Sequence, residues 1–261
     1  MLAHALLRDR AWIVAHGDAF APDEAEQRFI ALCDERAAGT PIAYLVGSVG
    51  FCGREFVVDE RVLIPRPETE HLVEEALKFL QARRLRGCRP PFAVLDIGVG
   101  SGAIACTIAA QFSDANVDCV DLSSDALTVA RINAERLDVA GRCRFHHGAY
   151  VQPVTGRRFA LVVANLPYVP AADLPRKPDP LAFEPRIALD GGRDGLAAYR
   201  ELLMCVPESL EPEGMLLLEG APPQMRGLLT LAEEAFPTGV IGVGYDYARQ
   251  PRYVKVLAPP A

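Results

Sequence analysis

The stretch Val94-Leu95-Asp96-Ile97-Gly98-Val99-Gly100-Ser101-Gly102 decides the fold. A short apolar run ends in an acid, and three closely spaced glycines follow. Ala103 to Phe112 then reads as a helix. Glycines let a backbone turn sharply and come close to a ligand. A helix start aims unpaired N–H groups at such a turn. The strand–loop–helix context is the one a cofactor loop needs, although the same residues also suit a plain tight turn.

Outward from this loop the pattern alternates. Strands are expected at 93–97, 117–121, 143–146 and 159–164, with helices at 103–112 and 124–137. Ser124 is the expected cap of the second helix. A Pro-rich loop covers Asn165 to Arg193. A helix over 196–210, a strand over 215–219, a helix over 224–235 and two late strands near Val240 and over 253–257 complete the chain. Strands alternating with helices imply a mostly parallel sheet covered on both faces. The fold class is therefore α/β, with a Rossmann-like sheet of seven strands.

The region before the loop differs. Residues 2–38 read as helical, with Asp23 as a cap and Glu26 completing a capping box. Ser48 to Phe51 and Glu55 to Val58 suggest a hairpin turning at Gly53, and Thr69 or Glu68 opens a helix running to about Arg84. The basic, proline-closed run from Arg83 to Pro91 reads as a linker. The expected organisation is a small, mainly helical domain with a hairpin over residues 1–85, and an α/β domain over 86–261.

Bulk properties narrow the function. The chain has 261 residues, half of them apolar, and a net charge of −7. That balance weighs against a protein whose affinity rests on neutralising phosphates. No run approaches the ~18 apolar residues of a membrane span. No signal peptide is evident at the N-terminus. None of the seven cysteines has zinc-ligand spacing, and the adjacent His146 and His147 suit a shared metal poorly. A soluble, cytoplasmic protein with free thiols and no metal is expected.

The chemistry-bearing residues follow the strands. The Gly-x-Gly-x-Gly spacing, with Asp96 before it, differs from the Gly-x-Gly-x-x-Gly of a pyrophosphate loop. It suits the amino acid end of S-adenosylmethionine, with Asp96 available to the ligand's ammonium directly or through water. Asp121, ending the next strand, can accept hydrogen bonds from both hydroxyls of a ribose. Tyr150 can lie against an adenine ring. The most specific signal is Asn165-Leu166-Pro167-Tyr168, which follows the apolar strand Val162-Val163-Ala164. The Asn165 side-chain oxygen and the Leu166 carbonyl can hold the two N–H bonds of a planar –NH₂ group. Pro167 stiffens the loop, and Tyr168 can pack on the planar group. An Asx turn closed by proline is the structural alternative.

These residues resemble the class I methyltransferases that modify glutamine at N5, and most closely those acting on peptide-chain release factors. The resemblance rests on Ile64-Pro-Arg-Pro-Glu-Thr-Glu70, the glycine loop, Val120-Asp-Leu-Ser-Ser-Asp-Ala-Leu127, the Asn165 tetrad and Phe183-Glu-Pro-Arg-Ile-Ala-Leu-Asp-Gly-Gly192. It implies S-adenosylmethionine contacts from Asp96, Gly98, Val99, Gly100, Ser101, Gly102, Asp121, Leu122, Tyr150 and Asn165. It implies that Asn165, Leu166, Pro167 and Tyr168 bind the glutamine side chain. It also implies that the N-terminal domain helps recognise a protein substrate. Two departures bear on the site: Leu166 stands where the family usually has proline, and Ala149 where it usually has an acid. The alternatives are a nitrogen methyltransferase for a free small molecule, an adenine-N6 methyltransferase, a nicotinamide-dependent reductase and a binding module without activity.

Overall fold

The computed structural model describes residues 1–260. Its N-terminal part is a set of short helices: α1 (Leu2–Leu6), α2 (Arg10–Ala15), α3 (Asp23–Ala37) and α4 (Ile42–Val46). The expected continuous helical stretch is broken at Leu7, whose backbone is left-handed, and again between His16 and Pro22. Asp23 is not a cap. Pro22 takes that position, because its fixed φ places Asp23 inside the first turn, where a carboxylate favours the helix dipole. The Arg28 guanidinium donates to the Ala5 carbonyl at 3.0 and 2.8 Å and ties α3 to α1.

A hairpin follows, β1 (Ser48–Phe51) and β2 (Arg54–Val57). Its two-residue turn is Cys52-Gly53, both with positive φ, which matches the right-handed twist of the paired strands. Phe51 and Phe56 are fully buried and meet edge to face, 5.9 Å between ring centres. Helix α5 (Thr69–Leu85) buries Leu72, Val73, Ala76 and Leu80 along one stripe. These side chains share a core with Phe92, Val94 and Ile108 of the elements that follow.

Those elements are β3 (Phe92–Ile97), α6 (Ala103–Gln111), β4 (Ala115–Asp121), α7 (Ser124–Arg136), β5 (Cys143–His147), β6 (Phe159–Ala164), α8 (Ala197–Cys205), β7 (Leu210–Glu219), α9 (Met225–Ala235), β8 (Val240–Tyr245) and β9 (Pro251–Leu257). The seven strands lie in the order β5-β4-β3-β6-β7-β9-β8. All neighbours are parallel except β7–β9 and β8–β9. Strand residues alternate between the two faces. Leu161 and Val163 join the core under α5 and α6, whereas Val162 and Ala164 join the core under α8 and α9.

The chain runs from β3 outward to β5, then returns to lay β6 on the other side of β3. The order reverses there, and in open α/β sheets ligands sit at the carboxyl ends of the strands at that point. Ile97 pairs with Ala164. The glycine loop and the Asn165 loop therefore leave the sheet side by side.

Asn133 of α7 anchors the hairpin to this end of the sheet. Its carboxamide oxygen accepts the Val57 N–H at 2.7 Å, and its nitrogen donates to the carbonyls of Val57 and Ser101, each at 2.9 Å. The cap of α7 is Ser123, one residue earlier than expected; its hydroxyl accepts the Ala126 N–H. Ser124 is already helical, because Ser123 has the extended backbone a cap requires.

Candidate active site

At the switch point lies a cavity of about 330 Å³. Its walls include Gly98, Val99, Gly100 and Ser101 from the loop after β3, and Asp121 and Leu122 from the end of β4. Tyr150 comes from the segment after β5, and Asn165, Leu166 and Pro167 from the loop after β6. Residues far apart in the chain thus share one space because the parallel strands end together.

Gly98 has a φ of +77°, and a Cβ there would meet the Leu166 side chain at 3.0 Å and the Asn165 carbonyl at 3.3 Å. Only glycine lets the two loops close in this way. Asp121 fixes the glycine-loop backbone: its carboxylate accepts the Gly100 N–H at 2.9 Å and the Ser123 N–H at 2.8 Å. Burial pushes this carboxyl above the usual range, and those backbone N–H groups oppose the shift. Tyr150 also has a positive φ, which turns its ring toward the cavity edge, where it faces Glu201 of α8.

Three expected residues lie off the cavity wall. Asp96 is fully buried beneath the glycine loop, and its Oδ2 accepts the Ala105 N–H at 3.0 Å. It satisfies an unpaired donor of the first turn of α6. Burial raises its pKa to about 7, and its Oδ1 has no protein partner. Gly102 packs at the start of α6, where a Cβ would meet Cys106 of that helix and Ala130 of α7. Tyr168 is half-buried against the core beside the cavity, and burial together with the nearby Glu219 pushes its phenol up while Arg66 opposes the shift.

Several residues at the site are not among those expected to contact a ligand. Tyr199 of α8 is fully buried, and its hydroxyl accepts the Leu166 N–H at 3.1 Å. The same hydroxyl contacts the carbonyls of Leu166 and Glu219, and so joins the ends of β6 and β7. Arg66 lines the cavity and is held by the buried Glu184, whose other oxygen accepts the Ile64 N–H at 2.9 Å. The Glu184 segment and the loop after it therefore also shape the site. Gly191 packs so close that a Cβ would lie 2.8 Å from the Pro167 carbonyl. Thr69, at the start of α5, lies on the wall, and its hydroxyl accepts the Asn165 Nδ2–H at 3.4 Å. Among the described residues no group of three His, Cys, Asp or Glu side chains is placed to hold a metal.

Comparison with known proteins places this geometry. A methyltransferase small domain model matches residues 78–175, and a PrmC N-terminal domain model matches residues 1–47. A release factor glutamine methyltransferase of Xylella fastidiosa is 40% identical over 235 residues, covering 90% of this chain and 83% of that protein. One from Moorella thermoacetica is 43% identical over 205 residues, covering 78% of this chain and 70% of its own length. The chain belongs to the release factor glutamine methyltransferase family.

Solved structures agree on the fold of this family member. A Pyrococcus furiosus methyltransferase aligns with a TM-score of 0.56 at 15% identity, covering 90% of this chain and 98% of that one. The ribosomal protein L11 methylase of Lactobacillus delbrueckii aligns with a TM-score of 0.52 at 17% identity, covering 77% and 84%. Among the described residues no helix is long and apolar enough to cross a membrane.

Proposed function

We propose that this chain transfers a methyl group from S-adenosylmethionine to N5 of a glutamine in a peptide-chain release factor. The observation that carries the reading is the meeting of the Asn165 loop and the glycine loop at one cavity. The cofactor, when bound, supplies an electrophilic methyl group on a positively charged sulfur.

The residues present fit such a ligand. The Gly98–Ser101 backbone suits its amino acid end, and Asp121 its ribose hydroxyls. Leu122 and Tyr150 offer apolar and aromatic surface to the adenine. Asp96 keeps one buried carboxylate oxygen free for a donor from outside the chain.

The protein's own part in the reaction is positional. The lone pair of an amide nitrogen is delocalised, so the nitrogen attacks poorly while planar. Asn165 Oδ1 and the Leu166 carbonyl accept its two N–H bonds and aim the nitrogen at the methyl group. Leu166 contributes only its backbone to this, so leucine in place of proline leaves the acceptor present. Tyr199 and Gly98 hold the loop in place before substrate arrives, and preorganised acceptors cost no rearrangement during reaction. Closing two reactants in line supplies much of the rate.

Residues 1–85 are proposed to recognise the protein substrate and residues 86–261 to carry the transfer. Val14 and Phe20 support the first assignment, since both are large apolar side chains left exposed ahead of the cavity-bearing sheet.

Calorimetric titration tests the cofactor assignment. S-adenosylmethionine is expected to bind and NADH not to. Binding of NADH alone would return the glycine loop to a nicotinamide reading.

A further inference from the structure

Glu219 ends β7, buried to 3% exposure, and belongs to neither expected set of site residues. Its position follows from register. Ala164 pairs with Leu218 across the parallel β6–β7 ladder, so Asn165 and Glu219 emerge level with each other. Both follow the alternation that sends Leu161, Val163 and Leu217 toward α5. Thr69, the first residue of α5, is buried at that spot. The Tyr199 hydroxyl bridges the Leu166 backbone and the Glu219 carbonyl, which holds the two strand ends together.

These contacts have a direction. The Asn165 nitrogen donates to Thr69 Oγ1 at 3.4 Å. Thr69 and Asn165 lie near enough to the Glu219 carboxylate to favour its charged form. A carboxylate only accepts, so groups beside it are drawn to present their donors to it. The nitrogen and oxygen ends of a carboxamide have nearly the same shape, and only their hydrogen-bond partners decide which end points where. With its nitrogen drawn toward Thr69 and Glu219, Asn165 turns its oxygen toward the cavity.

We infer that Glu219 is a positioning residue for methyl transfer: through Thr69 it locks the Asn165 carboxamide with its oxygen facing the substrate amide. The inference rests on the proposed function, because only a substrate that donates N–H bonds needs that orientation. It gives this buried acid a task that packing leaves unexplained; Glu219 Oε2 has no protein partner.

The orientation depends on charge. Burial pushes the Glu219 carboxyl up to about 7. Glu68 ahead of α5 pushes the same way, while Thr69, Arg252 of β9 and Asn165 act against the shift. Tyr168 and Tyr199 also face it. When protonated, Glu219 gains a donor and no longer fixes that orientation. The locked form is therefore present above this pKa and lost as pH falls through it.

The test measures kcat, KM and the pH profile with a release factor as substrate, and S-adenosylhomocysteine binding, for the wild type, Glu219→Gln and Thr69→Val. Glutamine has nearly the shape of glutamate but carries a donor that permits the flipped Asn165. The expected result for Glu219→Gln is a kcat lower by about 10–100-fold, with S-adenosylhomocysteine affinity within about twofold. The acid limb of the wild-type profile disappears in this variant. Thr69→Val reproduces the loss, and combining the two changes adds little, as expected for one chain of contacts. A Glu219→Gln protein that binds S-adenosylhomocysteine and keeps both wild-type kcat and the wild-type acid limb would overturn the inference. If Glu219→Gln fails to fold, the same outcome in Thr69→Val overturns it. An inactive wild type that still binds S-adenosylhomocysteine would overturn the functional reading beneath it.

Discussion

Replacing Asn165 by alanine is expected to lower kcat by about 10²–10³-fold while S-adenosylmethionine affinity changes little. The size follows from the loss of one preorganised polar contact to the reacting group. The separation of effects follows from position. Asn165 stands at the end of β6, whereas Asp121, Leu122 and Tyr150 stand at the ends of β4 and β5, across the switch point. The fold should survive, because Tyr199 holds the loop through the Leu166 backbone and not through the Asn165 side chain. Single-turnover kinetics beside a binding titration check this. An Asn165→Ala protein with wild-type turnover would remove the proposed mechanism.

Replacing Asp121 by alanine is expected to do the reverse, weakening S-adenosylmethionine binding by about 100-fold or more. A hydrogen bond to a charged group contributes about 1.5–3 kcal/mol, and each 1.4 kcal/mol is about tenfold in affinity. Asp121 would lose its contacts to the ribose. Its loss also leaves the Gly100 and Ser123 N–H groups without the acceptor that now shapes the loop. At saturating cofactor, kcat should recover most of its value. Titration calorimetry gives the affinity, and initial rates over a range of cofactor concentrations give the recovery.

The two contrasting variants test a proposed division of the cavity into a side for the cofactor and a side for the substrate. The loops on both sides were legible in the sequence because each signal is local. Asp96 to Gly102 reads as strand, turn and helix within a few residues, and Asn165 directly follows an apolar strand. The hairpin was equally readable, with its turn at Cys52-Gly53. Helix starts were less so. Ser123 and Ser124 are both good caps by composition, and only the backbone conformation of Ser123 decides between them.

What stayed hidden depends on contacts between distant segments. Nothing near Glu219 marks it, since it reaches Asn165 only through the β6–β7 register. Arg66 and Glu184 meet across 118 positions, and neither segment by itself shows that pairing. Tyr199 reads as one apolar position on a helix; its hydroxyl matters only once α8 packs over the ends of β6 and β7. Helix α5, read as part of the N-terminal region, packs its apolar stripe on the same core as β3 and α6. That contact brings Thr69 to the cavity wall beside Asn165. Asp96 and Tyr168 were expected at the ligand from their motifs; neither lies on the cavity wall, Asp96 being tied to the first turn of α6 and Tyr168 packed on the core.

The most direct measurement is tandem mass spectrometry of a release factor incubated with the protein and S-adenosylmethionine. The expected result is the mass of one added methyl group, located by fragmentation on a glutamine side chain of the release factor. With the Asn165→Ala protein the methyl group is expected to be added at least about 100-fold more slowly. An unmodified release factor, together with methyl transfer to a free small molecule under the same conditions, would contradict it.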